Sequence, residues 1–369
     1  MFRREWALKL AVPAASAVLA LLALELGVRL RDGELEVKNH LGVETNLFKS
    51  AYPVSHDAVL GWVPRSGAAG IDNVWRTDVT IRTDGTRSNG RASDSNPPNG
   101  PELIVAVGDS FTFGDEVSDA DTWPAVLERL TGIRTVNGGV FGYGIDQSYL
   151  RARQLIEAYA PSVLVFSFIP DDIARTELSE RTSVQKPYFE VRDGELVLRN
   201  TPVPPPRPDG FGARLRPVKE LASRSYLVHD LMSRMFPAFW FNDAWRDVRA
   251  HEDGVGVSCR LLRDLEREAA ESGIALVVLA QYQFDSAEKP DDLAMVDRVI
   301  GCLDRATTKV IDLRRALASL RARDAARFES YFADHMTAAG NRFVAAHVFE
   351  EMSGNQIGSR RRSGRRRPR

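Results

Sequence analysis

A chain of 369 residues that is 44% hydrophobic and 27% charged can form one large α/β domain with additions or two modest ones, and this composition excludes general disorder. The formal net charge of −1 hides an asymmetry: Arg360, Arg361, Arg362, Arg365, Arg366, Arg367 and Arg369 fall in the last ten residues, and without them 42 basic side chains face 50 acidic ones. A mildly acidic body excludes a basic groove for nucleic acid, and no nucleic-acid partner is expected.

The first element is an apolar segment. Arg3, Arg4 and Lys9 precede an uncharged run from Leu10 to Leu24, and Glu25 interrupts before Leu26-Gly27-Val28. Trp6 and Lys9 suit one membrane interface, and Arg29 and Arg31 suit the other by snorkelling. No small-x-small pair follows the run, and no cysteine follows it for lipid attachment. The segment therefore predicts a cytoplasmic stub and an uncleaved single-pass anchor over residues 1–32. The body would then lie outside the cytoplasm, in a periplasm or at the cell surface. A cleaved signal peptide and a soluble amphipathic helix are the alternatives.

Residues 33–101 read as an extended connecting region. His56–Trp62 and Val79–Gly85 suggest short strands and turns, and Ser93–Pro101 is rich in loop-forming residues. An alternation of strands and helices follows over 102–352. Leu103–Val107, Ile133–Val136, Val163–Phe168, Ile274–Ala280 and Val310–Leu313 are apolar runs of strand length. Helical spacing marks Trp123–Leu130, the stretch around Ala152–Tyr159, and residues 258–272 and 291–303. The pattern predicts a three-layer αβα sandwich around a mainly parallel sheet.

An insertion over 177–250 breaks the alternation. Tyr188–Leu198 predicts a hairpin turning at Asp193-Gly194. A proline-rich stretch follows, then a helix ending in Phe236, Phe239, Trp240, Phe241 and Trp245. Such an aromatic cluster packs in a core, or it serves as a lid or a membrane-touching patch. Cys259 and Cys302 fit no metal motif; they either pair in an oxidising compartment or stay as two buried thiols. Residues 353–369 read as a basic disordered tail.

The chemistry concentrates where strands end. Ile104-Val105-Ala106-Val107 runs straight into Gly108-Asp109-Ser110-Phe111-Thr112-Phe113-Gly114. A serine there sits at the carboxyl edge of the sheet, where open α/β folds place reacting groups. Its hydroxyl is a poor nucleophile until a base takes its proton. The same tripeptide is also ordinary turn chemistry, so the remaining blocks decide. The second strand ends in Asn137-Gly138-Gly139-Val140-Phe141-Gly142-Tyr143-Gly144, and the third in Phe168-Ile169-Pro170-Asp171-Asp172. Asp334-His335-Met336-Thr337-Ala338-Ala339-Gly340-Asn341 stands near the C-terminus.

This set of blocks resembles the SGNH hydrolases, also called GDSL esterases, over about residues 102–350. The N-terminal layout resembles a membrane-anchored bacterial branch. The resemblance implies a flavodoxin-like SGNH fold and serine ester hydrolysis through an acyl-enzyme. Ser110 matches the nucleophile and His335 the general base. The backbone N–H groups of Ser110 and Gly142 match two oxyanion donors. The third donor in the family is an Asn side chain, and Asp171 stands there. A carboxylate donates only when it holds a proton, which burial and nearby Asp172 would favour. The family's orienting acid lies two or three residues before the histidine, where Ala333 and Phe332 stand. Asp334 is adjacent to His335 and fills the role, or the pair works as a dyad. No metal or cofactor is implied.

The expected function is hydrolysis of O-acyl groups, for example O-acetyl groups, on envelope or exported glycans, or of lipid esters. A polysaccharide O-acyltransferase would use the same serine. A catalytically weak binding or scaffold protein on the same fold is the remaining reading.

Overall fold

Five apolar runs pair into one parallel sheet in the computed structural model of the chain, which describes residues 2–33, 37, 53–71, 77–90, 101–206, 215–240 and 247–363. The strands are β1 (Leu103–Val107), β2 (Arg134–Asn137), β3 (Val163–Phe168), β4 (Ala275–Ala280) and β5 (Lys309–Asp312). Their order is β5-β4-β3-β1-β2, and every neighbouring pair is parallel. Ile104, Val105, Ala106, Val107, Leu164, Val165, Phe166, Val278, Leu279 and Ala280 have no exposed surface. A sheet covered on both faces needs such unbroken apolar runs. Each side chain as large as Phe166 contributes about 1.5–3 kcal/mol by its burial.

Helices flank this sheet. Trp123–Thr131 packs on Ala338–Ser363, and Ile145–Tyr159 packs on Gly254–Glu271, which also packs on Pro290–Gly301. Local chemistry sets their ends. The Thr122 hydroxyl accepts from the Ala125 N–H at 3.3 Å, proline stands in the first turn, and Gly132 closes the same helix in the left-handed region. The strand order reverses between β1 and β3, and open α/β sheets bind ligands at the carboxyl ends beside such a switch point.

The contacts divide the chain into Ala51–Pro206 with Asp247–Arg369, and Met1–Ser50 with Arg207–Arg246. These boundaries differ from the expected ones in two places. Residues 53–90 are part of the sheet-bearing unit rather than a connector. They form the hairpins Val54–Asp57/Gly61–Pro64 and Ala69–Ile71/Asp78–Thr80, and they bury Leu60, Trp62 and Ile81 completely or nearly so. The Trp62 Nε1–H donates to the Phe141 carbonyl at 3.0 Å, and the Gln147 amide donates to the Leu60 carbonyl at 2.7 Å. The expected insertion is likewise divided. Its hairpin Tyr188–Arg192/Glu195–Arg199 turns at Asp193-Gly194, as the sequence predicts, and stays with the sheet. The segment expected to be a disordered tail continues the last helix as far as Ser363.

The two cysteines are paired. The Cys259–Cys302 disulfide ties the Gly254–Glu271 helix to the residue that ends the Pro290–Gly301 helix. The alternative of two separate thiols is therefore not the one realised.

In the other unit, the Phe2–Asp32 helix packs on Tyr226–Met235. Glu25, which interrupts the apolar run, caps that second helix. Its carboxylate accepts from the Tyr226 and Leu227 N–H groups at 2.8 Å and from the Ser225 hydroxyl at 2.7 Å, and Arg29 Nε lies 2.6 Å away. The first N–H groups of a helix have no partner within it, so an acid placed there satisfies several at once. Trp240 is buried and donates to His229 Nδ1 at 3.1 Å, whereas Phe236 and Phe239 are exposed. Phe241 and Trp245 of the aromatic cluster lie outside the described residues. Among the described residues no helix is long and apolar enough to cross a membrane, and the side chains of residues 2–12 lie outside them.

Candidate active site

β1 delivers Ser110 to the first residue of a short helix, Ser110–Phe113, at this carboxyl edge. Asp109 caps that helix by accepting from the Phe111 N–H at 3.0 Å. β2 ends in Asn137, whose side chain accepts from the Gly139 N–H at 3.1 Å and donates to the Phe113 carbonyl at 3.3 Å. The following loop is thereby pressed onto the serine turn. A Cβ at Gly139 would stand 2.3 Å from the Phe113 nitrogen, so only glycine fits there. Gly142 has φ +74, which glycine adopts without strain. Among the described residues, neither the Ser110 nor the Gly142 N–H donates to a protein acceptor.

His335 arrives from the turn before the last helix. Its Nε2 lies 3.0 Å from Ser110 Oγ. Its Nδ1 lies 3.0 Å from Glu116 Oε1, and the same oxygen accepts from the His335 backbone N–H at 2.7 Å. A carboxylate only accepts, so Nδ1 carries the proton and Nε2 is the free base facing the serine. Phe111 packs against the imidazole, with ring centroids 5.3 Å apart. Burial works against the imidazolium. The Glu116 hydrogen bond and the charges of Asp115, Glu116 and Asp109 outweigh it and hold the His335 pKa above its ordinary value.

The carboxylate on Nδ1 is thus Glu116 and not Asp334. Asp334 is exposed at the tip of a turn closed by the Phe332–Met336 bridge, with the Ala333 N–H on the His335 carbonyl at 2.8 Å. That geometry directs its side chain to solvent. Glu116 lies six positions beyond the serine and has φ +71, a conformation costly for a residue with a side chain. Its surroundings hold it there. Arg87, fully buried, donates to the carbonyls of Phe113, Gly114 and Val117 at 2.9, 2.6 and 2.7 Å and to Asp119 at 3.1 Å. One guanidinium therefore clamps both ends of the loop that carries Glu116. Sequence reasoning missed both residues. The signal for Glu116 was an acid beside the nucleophile motif; a lone Arg87 gave none.

Asp171 follows β3 but has the contacts of an acceptor. Its side chain is 48% exposed, takes the Gln283 amide at 3.2 Å and faces Arg175 at 3.6 Å. No hydrogen bond among the described residues joins it to Ser110. The carboxyl that moves towards its protonated form is Asp172. Burial, then repulsion from Asp109, drives its pKa well above the carboxylate range in spite of Arg175. Arg175 Nη1 bridges Asp172 at 2.6 Å, the Tyr143 carbonyl at 3.2 Å and Asp109 at 3.3 Å, and so couples the ends of β1 and β3 to the Gly142 loop. Behind that loop Lys186 and Asp146 form a wholly buried pair, and burial pushes the lysine pKa down and the aspartate pKa up.

The arrangement can move a proton from Ser110 to His335 and hold the resulting imidazolium against Glu116. Among the described residues no group of three or more His, Cys, Asp or Glu side chains is positioned to hold a metal ion.

Among solved structures, the chain has a distant likeness to a lipolytic protein of the G-D-S-L family from Desulfitobacterium hafniense, with 14% identity and a TM-score of 0.38. An acetylxylan esterase from Geobacillus stearothermophilus aligns over 69% of this chain and 94% of its own, at 14% identity and a TM-score of 0.41. A lipase/acylhydrolase from Enterococcus faecalis aligns over 69% and 96%, at 12% identity and a TM-score of 0.40. A two-domain esterase active on acetylated mannans aligns over 69% of this chain and 49% of its own, at 10% identity and a TM-score of 0.39. At these identities the likeness concerns the fold. No protein-family model matches the chain, and no curated protein sequence does.

Proposed function

We propose that the chain is a serine ester hydrolase acting through Ser110, His335 and Glu116. The carrying observation is the unbroken hydrogen-bonded series from Ser110 Oγ through the imidazole to Glu116 Oε1. Ser110 Oγ attacks the ester carbonyl carbon while its proton passes to His335 Nε2. The carbonyl oxygen gains the negative charge and is met by the Ser110 and Gly142 N–H groups. His335 returns the proton to the leaving alkoxide, which departs as the alcohol, and an acyl-serine remains. Water then adds to the acyl carbon, giving its proton to Nε2. The acid leaves, and Ser110 takes the proton back. Glu116 keeps the imidazole in one tautomer and favours its charged form.

The substrates we infer are O-acyl esters on envelope or exported glycans, or lipid esters. An extracytoplasmic, membrane-tethered location supports that class. The reasons for the location are the Cys259–Cys302 pair, which suits an oxidising compartment, and the uncharged run from Leu10 to Leu24. The reading is tested with a serine-reactive phosphonate probe on the purified chain. Labelling at Ser110 that Ser110→Ala abolishes is expected. Absent labelling of the parent chain, or equal labelling of the variant, overturns the reading.

A further inference from the structure

Beside the serine lies a second feature that the hydrolytic steps do not use. The strand Leu178–Arg181 pairs with Val248–Arg249, and together with the helix Pro170–Arg175 they wall a cavity of about 290 Å³. Its lining includes Asp171, Arg175, Arg181, Asp247 and Arg249. Arg175 is committed to the Asp109, Asp172 and Tyr143 acceptors, and Arg249 reaches Glu177 at 3.3 Å.

Arg181 makes no side-chain hydrogen bond to a described residue, whereas Arg175 makes three and leaves its own Nε–H without an acceptor. The Arg181 side chain is only 15% exposed, and the acid paired with it among the described residues, Asp247, stands at 3.8 Å, beyond hydrogen-bond reach. The other oxygen of Asp247 is occupied by the Thr182 N–H at 2.8 Å. The Arg181 Nε–H is buried with no acceptor among the described residues. A guanidinium carries five donors in a fixed fork, and keeping it inside a protein without acceptors is costly. An orphaned buried group of this kind calls for an explanation, and an absent ligand supplies one. Burial and the neighbouring Arg175 charge push its pKa down to about 10, so the guanidinium is strained by its surroundings yet still charged at neutral pH.

Position and donor geometry point to the ligand. Arg181 Nε stands 3.5 Å from the point a Cβ on Gly142 would occupy, so the cavity abuts the loop that carries a proposed oxyanion donor. Arg175 lines the same cavity and also contacts Asp109, whose carboxylate lies 3.3 Å from Ser110 Oγ. Arg175 and Arg249 are already set against Asp109, Asp172 and Glu177, so the guanidinium with donors to spare is that of Arg181. A planar monoanion with two oxygens matches that guanidinium fork. A doubly charged group would meet Asp171 and Asp247. The volume lies at the small end of ligand pockets and suits a single sugar-sized group.

We propose that Arg181 and this cavity form a subsite for a carboxylate on the substrate, so that the esters taken are O-acyl esters of carboxylate-bearing sugars. This rests on the ester-hydrolase reading above and narrows its substrate class.

Binding tests it without turnover. In the full chain carrying Ser110→Ala, calorimetry compares methyl glucuronoside with methyl glucoside, which differ at the carboxylate. The glucuronoside is expected to bind about tenfold more tightly or better, as for a hydrogen-bonded charge pair. Adding Arg181→Gln should bring the ratio close to one. Arg181→Lys keeps the charge but loses the fork, and should give an intermediate ratio; it replaces the glutamine variant should that one fail to fold. Equal binding of the two glycosides, or a ratio that survives loss of the guanidinium, overturns the proposal. A chain that keeps the carboxylate preference but never labels with the phosphonate overturns the hydrolase reading alone.

Discussion

Oε1 of Glu116 accepts two hydrogen bonds from His335, one from its backbone N–H at 2.7 Å and one from Nδ1 at 3.0 Å. A single oxygen thus fixes both the position of the turn and the tautomer of the ring. Rotation of the imidazole away from Ser110 would break one of these bonds and leave a nearly buried carboxylate short of a donor.

Glu116→Gln should lower kcat by about 10²–10⁴, the loss expected when the partner that sets a catalytic histidine's tautomer is changed. Asp334→Asn, at an exposed turn tip, should leave kcat within about twofold, as surface changes usually do. Steady-state kinetics on a model acyl ester separates the two. Loss with the Asp334 variant and none with the Glu116 variant would return the role to Asp334.

The pH profile carries the same signature. His335 must be neutral to accept the serine proton, and its pKa is held above the ordinary value of about 6.5. Activity should therefore rise with pH only through this elevated value. Glu116→Gln removes the main raising interaction, so the acid limb should move to lower pH. Stability follows the opposite sense. A group with a raised folded pKa contributes in full below its unfolded value, and that contribution fades as pH rises through the folded value. Urea titrations at several pH values would show whether this pH-dependent part disappears in the variant.

Arg87→Met should destabilise the sheet-bearing unit by about 3–5 kcal/mol, because it leaves Asp119 charged and buried without its partner. The Glu116 loop would lose its clamp as well, so activity should fall below what the remaining folded fraction accounts for. Denaturation midpoints read together with kcat per folded molecule check both effects.

The disulfide closes a segment with a sequence separation of 43 residues. In the chain-entropy account this is worth about 4 kcal/mol. Replacing both Cys259 and Cys302 by Ser should lower the urea midpoint accordingly without changing kcat at low temperature. A midpoint that does not move would show the bridge to be absent in solution.

For the proposed location, reporter fusions placed after residue 50 should give active alkaline phosphatase and dark green fluorescent protein in a bacterial host. The reverse pattern would place the body in the cytoplasm.

Much of this architecture was legible in the residues. The runs at 103–107 and 163–168 are strands because only a doubly covered sheet position needs unbroken apolar sequence. The block that ends the first run marked Ser110, which the structure sets against His335, while Asp171 after the other run faces Gln283 and Arg175 instead. His335 was readable only through its block, since a lone histidine has no period. Glu116 was not legible. Its role depends on a left-handed backbone in a loop clamped by Arg87, 29 positions upstream, and no local pattern announces such a clamp. Asp334 attracted the assignment by adjacency in sequence, and the turn at 332–336 sends it outward. Cysteine spacing alone left the pairing open. The division of the 177–250 segment was hidden for a similar reason, since Glu25 and Ser225 are 200 positions apart.

The closeness of Glu116 to Ser110 along the chain changes how such proteins are to be searched for. A signature that demands an acid two or three places ahead of the C-terminal histidine would discard this chain as inactive, since Ala333 and Phe332 stand there. A signature of the form Gly-Asp-Ser followed six places on by Glu, with a distant histidine preceded by any residue, would retain it. Two of the three proposed catalytic side chains then travel in one short cassette. On the proposed mechanism, the absence of Asp two or three places ahead of the histidine is a relocation of the acid to Glu116, to be checked beside the serine before a sequence is set aside as a dead enzyme.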